Sequence, residues 1–212
     1  MNSQQSYCHQ DSLTRRGVII SVIVLIYICL PLGILIGLIP WNMKFVTLIA
    51  GAIIAYLISR LLGYTNLDLG ITLRRARSSL IAVAPFTLVF LVASILWLIL
   101  GGVRFKPTED LGFFIFYIFI SCPMQELLFR GVLSSLFSSF KMREYIEIIV
   151  ASLLFGFVHI IYQDAITVVI MTIVGYFWYS AYKREPSLVG VTISHIILGV
   201  FTIVTGLVDL LI

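Results

Sequence analysis

Hydrophobic residues in this chain fall in long unbroken runs, separated by short polar breaks. Seven such runs span roughly 17–38, 43–62, 79–101, 111–138, 144–162, 164–182 and 187–209. A continuous apolar run of about 20 residues, rising 1.5 Å each, covers the hydrocarbon core of a bilayer. Backbone inside lipid must satisfy its own hydrogen bonds, which leaves helices or a closed barrel. Barrel strands would alternate apolar and polar positions over about 10 residues. The runs do not alternate, so the expected fold is all-α, a polytopic transmembrane bundle of about seven spans. The breaks carry turn or charge signals, among them Pro40-Trp41-Asn42, Gly101-Gly102 and Lys183-Arg184-Glu185-Pro186. The pattern predicts a polar N-terminal tail over 1–16 and a single membrane domain over 17–212. The longest polar connection, 63–78, is too short to fold alone. Residues 17–38 are long for a cleavable leader and lack a small-residue cleavage site, so the first span is expected to be retained.

Composition agrees with this. The 212 residues are 60% hydrophobic and 11% charged, with a mean hydropathy of +1.10. The net charge of +4 is spread between the runs, which speaks for membrane orientation and against nucleic acid. Placing the N-terminus in the cytoplasm puts Arg15, Arg16, Arg60, Arg74, Arg75, Arg77, Lys141, Arg143, Lys183 and Arg184 inside. Only Lys44, Arg104 and Lys106 then lie outside. Ten against three agrees with the positive-inside rule, and an odd number of spans places the C-terminus outside. Cys8, Cys29 and Cys122 match no metal or redox spacing and read as small buried hydrophobes.

Against this background the run Gln125-Glu126-Leu127-Leu128-Phe129-Arg130 stands out. It sets a carboxylate and a guanidinium one helical turn apart inside a span. Such groups are costly in hydrocarbon, face the bundle interior, pair with each other and mark function. Two of three histidines, His159 and His195, also lie inside spans. The fourth and fifth spans form a hairpin turning near Met142. Glu126 lies 16 residues before that turn and His159 lies 17 after it, so both sit roughly 25 Å from the tip. A glutamate and an imidazole at matching depth can share a water and work as general acid and base. His195 lies roughly 13 Å into the last span, where it can donate to a developing oxyanion. Phe155 and Gly199 share a face with His159 and His195, one turn away, and are candidates for the substrate pocket. Core packing for Phe155 and close helix approach for Gly199 are the plainer alternatives. One glutamate with two histidines also admits zinc held by Glu126, His159 and His195. Three scattered helices and no H-E-x-x-H spacing weigh against it, so no cofactor is the expectation.

The three motifs Gln125-Glu126-x-x-x-Arg130-Gly131, Phe155-x-x-x-His159 and His195-x-x-x-Gly199 occur in order on separate spans. In this the chain resembles the CAAX-protease and bacteriocin-processing family of intramembrane proteases, which includes type II CAAX prenyl endopeptidases. The family pattern is E-E-x-x-x-R, F-x-x-x-H and H-x-x-x-N or H-x-x-x-D, and the resemblance covers roughly 79–207. It implies a metal-free, glutamate-based mechanism. A glutamate of the first motif and His159 activate water, His195 and a final Asn or Asp stabilise the oxyanion, and Arg130 positions the acidic residues. Two positions depart from the pattern. Gln125 stands where the family has its first glutamate, the one usually assigned as base, and a neutral amide takes no proton. Gly199 stands where an oxyanion donor is expected; Thr192 or Thr202 could substitute, though serine and threonine in helices usually bond the preceding turn.

The resemblance implies two functions. One is an endopeptidase cutting a membrane-associated or lipidated peptide, with the bilayer as its setting and a bacterial inner membrane as its expected location. The other is a catalytically silent member acting as a scaffold or regulator for a membrane-protein partner. A transporter would show Gly/Pro-broken helices at corresponding positions of two halves, and none is visible.

Overall fold

A computed structural model describes residues 3–208, with side chains from Leu13 onward; Cys8, His9 and Asp11 of the polar tail lie outside the described side chains. Every regular element among the described residues is helical. Helix α1 starts at Ser3–Val22, passes through the π-helical turn Ile23–Cys29 and ends in Leu30–Leu35. Then come α2 (Trp41–Leu61), α3 (Ala76–Ile99), α4 (Leu111–Ser138), α5 (Glu144–Tyr162), α6 (Ala165–Arg184) and α7 (Leu188–Val204). Six of these, all but α7, are long and apolar enough to cross a membrane. The seventh, α7, has 17 residues, a length of about 26 Å, slightly short of the usual span. The helical stretch begins well before residue 17, so the polar tail continues α1.

Large apolar side chains cover the outside of the bundle. Leu61, Leu88, Ile99 and Phe119 are each more than 60% exposed, a surface that only lipid covers at low cost. The protein is an integral, multi-pass membrane protein. Inside, small residues allow close approach, as is usual between membrane helices. Helix α7 packs along α3, and α6 along α5. A Cβ on Gly190 of α7 would run into the backbone of Ser79 and Leu80 in α3. Polar side chains tie the helices together. Ser194 of α7 meets Thr87 of α3 at 2.6 Å and accepts from Trp178 Nε1 of α6 at 2.8 Å.

The connection between α2 and α3 packs into the bundle instead of extending from it. Leu69 is fully buried, Ser135 of α4 donates to the Asp68 carbonyl at 3.0 Å, and Leu188 N of α7 donates to the Gly70 carbonyl at 2.9 Å. Gly131 of α4 leaves room for the Leu69 carbonyl, which a Cβ there would strike.

At the opposite end, Asp164 caps α6. It accepts from Thr167 N at 3.0 Å and from Arg104 Nη2 at 2.6 Å, and the Thr167 hydroxyl also donates to it. Burial pushes this carboxyl up, but the Thr167 hydroxyl, Arg104 and the Thr167 amide outweigh it and hold it below its ordinary value. A folded-state value below the unfolded one adds stability that is present above the unfolded value and lost as pH falls through the folded one. Acidification below about pH 4 should therefore loosen this junction. Thermal midpoints of the detergent-solubilised protein at neutral and acid pH should fall less in Asp164→Asn than in wild type.

Candidate active site

Helix α4 carries the site, and its winding is interrupted there. Pro123 has no N–H to give and its ring crowds the preceding turn. The helix there contains two π-helical turns, Tyr117–Ser121 and Leu127–Val132, on either side of Cys122–Glu126. Such turns recur at functional sites, and each extra residue rotates the rest of the helix by roughly 100° relative to a regular α-helix.

Glu126 is 0% exposed and Arg130 is 1% exposed. The guanidinium Nη1 donates to Glu126 Oε1 at 3.2 Å. Arg130 Nε lies 3.2 Å from Glu126 Oε2, a close ionic contact whose angle is too poor for a hydrogen bond, so neither atom has an aligned partner. Aromatic faces hold the rest of the cation, with Cζ 4.2 Å from the Phe155 ring centre and 5.1 Å from that of Trp178. A cation over such faces gains attraction that partly replaces lost hydration.

The imidazole that meets Glu126 is His195. Its Nδ1 lies 2.6 Å from Glu126 Oε1. A carboxylate only accepts, so Nδ1 carries the proton and Nε2 is left for other chemistry. Trp178 stacks on the His195 ring at 4.6 Å and 28°. His159 is anchored differently. Its Nδ1 donates to the Phe155 carbonyl at 2.7 Å, which again leaves Nε2 available. Both imidazoles are thus fixed through Nδ1, and both rings meet Phe155, at 5.0 Å for His159 and 6.3 Å for His195.

The direct contact of Glu126 with His195 is one that the residue count did not anticipate. Counting residues from the hairpin tip fixes depth but not direction around the helix. Glu126 points toward α7, while Gln125, roughly 100° away, faces the side where His159 lies. Gln125 and His159 line a cavity of about 90 Å³ with Leu30, Lys44, Leu48 and Tyr162, room for roughly three waters. The Gln125 amide donates to Ser121 Oγ at 3.0 Å. Phe155 and Gly199, the expected pocket residues, lie elsewhere. Phe155 is buried as the aromatic hub between Arg130 and the two histidines, and Gly199 abuts Tyr117. Thr202 donates to the Leu198 and Gly199 carbonyls, the backbone bonding usual for a helical threonine. Among the described residues, no three His, Cys, Asp or Glu side chains converge as a metal set.

Residues 107–201 match the family model described as type II CAAX prenyl endopeptidase Rce1-like. This part of the chain is similar to the CAAX-protease family. The Rce1-like region takes in α4, α5, α6 and most of α7, hence Gln125, Glu126, Arg130, Phe155, His159, His195 and Gly199. Its boundaries leave out α1 and α2, which supply Leu30, Lys44 and Leu48 of the cavity wall. No curated protein and no solved structure matches the chain.

Two residues important to the site gave no signal in the sequence. Trp178 and Tyr117 are aromatics among many in apolar runs, and nothing in their spacing separates a residue touching His195 from one in the general core.

Proposed function

We propose that this protein is an intramembrane endopeptidase that hydrolyses a peptide bond of a membrane-associated or lipidated substrate, with Glu126 as the base. The observation that carries the reading is the state of the Glu126 carboxylate. Oε1 is held by His195 and Arg130, while Oε2 has the ionic contact with Arg130 Nε but no aligned donor. A buried acceptor left open in this way is where a polar interior places a water. The cavity wall at Gln125 and His159 is the route by which that water would approach. The water gives a proton to Glu126 as its oxygen bonds to the carbonyl carbon. The carbonyl oxygen takes the negative charge. The C–N bond then breaks, and the leaving nitrogen takes the proton back from Glu126. His195 and Arg130 hold the carboxylate in place throughout, and His159 Nε2 orients the water from the cavity side.

A second reading, a silent scaffold or regulator, is favoured by one observation. The cavity-facing position of the first motif carries an amide, Gln125, where a carboxylate would act directly on a cavity water. The variant Gln125→Glu separates the two. With Glu126 as base, adding a second carboxylate changes the cleavage rate of a membrane-reconstituted peptide library less than about tenfold. A wild type without activity and a Gln125→Glu form that cleaves would identify the natural protein as silent.

A further inference from the structure

We infer that the Tyr117 hydroxyl is the hydrogen-bond donor that position 199 does not carry, set beside His195 to meet the oxygen of the reacting carbonyl. This rests on the endopeptidase reading. Gly199 lies one turn beyond His195 on the same face of α7, so a side chain at 199 would enter the space beside the imidazole. That space is filled from another helix. A Cβ built on Gly199 would overlap the Tyr117 hydroxyl oxygen, and it would lie 2.9 Å from ring atoms Cε1 and Cζ.

Tyr117 belongs to the first π turn of α4, nine residues before Glu126. Its ring is 4% exposed. It meets the His195 ring edge-on at 6.0 Å and stacks on Phe113 at 5.7 Å and 17°. Cys122 is fully buried in the same apolar cluster as Tyr117. The phenol is therefore held in the same corner as the Glu126–His195 pair by packing on several sides. A donor fixed before the reaction is the kind that stabilises developing negative charge, because it needs no reorganisation when charge appears. A phenol keeps its proton at neutral pH and can donate it in a hydrogen bond. This arrangement accounts for the glycine at 199, since any larger residue would displace the hydroxyl. The donor has moved from α7 to α4, and Gly199 is the space it needs.

Tyr117→Phe removes only the oxygen and keeps the ring packed. Its cleavage of a reconstituted membrane peptide should show kcat lower by about 100-fold, the usual cost of one oxyanion donor, with KM nearly unchanged. Gly199→Ala should show a similar kcat loss by pushing the phenol aside. Tyr117→Phe with wild-type kcat, in a protein that Glu126→Gln inactivates, overturns the donor and leaves the endopeptidase reading intact. Absence of cleavage by both wild type and Gln125→Glu overturns the reading and the donor with it.

Discussion

Replacing Arg130 by methionine is expected to cost about 3–5 kcal/mol of stability, because it leaves a buried carboxylate without its cation. Glu126 is 0% exposed, and with Arg130 gone His195 is the polar partner left to it. The lost cation also leaves the faces of Phe155 and Trp178, where methionine restores only part of the packing. Denaturation in mixed detergent micelles measures the loss. The double variant Glu126→Gln/Arg130→Met should be more stable than Arg130→Met alone, since it removes both charges, and interacting residues of this kind are not additive. An Arg130→Met protein within about 1 kcal/mol of wild type, in the range of an exposed pair, would mean the ion pair does not hold the core.

Glu126→Gln should reduce cleavage by about 1,000-fold, within the range ascribed to general acid–base catalysis. The amide keeps an oxygen that accepts from Arg130 and His195, so the helices stay in place while the proton acceptor is lost. Its stability loss should therefore be smaller than that of Arg130→Met. Comparing the two variants separates chemistry from support. Glu126→Gln loses activity while folded, and Arg130→Met loses both.

The number and placement of helices were legible because run length alone decides them. Each predicted span matches a helix within a few residues, except where α1 begins early at Ser3 and where α7 falls short of a full crossing. Glu126 and Arg130 were legible as a pair because one turn of helix joins them. Counting from the hairpin tip gives a depth for His159 but no direction around its helix. Sequence spacing fixes the height of a side chain along a helix, whereas its direction depends on how the helix is turned against its neighbours. Glu126 faces His195 and Gln125 lines the cavity, as adjacent positions pointing roughly 100° apart allow. Tyr117 was hidden for another reason. Its proximity to Gly199 joins residues 82 positions apart, and only the packing of α4 on α7 brings them together.

The most direct test of Glu126 as the base of a water-using protease is cleavage in ¹⁸O water. Wild type and Glu126→Gln, each reconstituted in lipid with a library of membrane-anchored peptides, are compared by mass spectrometry of the products. The expected result is a new C-terminal carboxylate labelled with ¹⁸O for wild type and none above background for Glu126→Gln. Equal labelled product from both proteins would contradict the assignment.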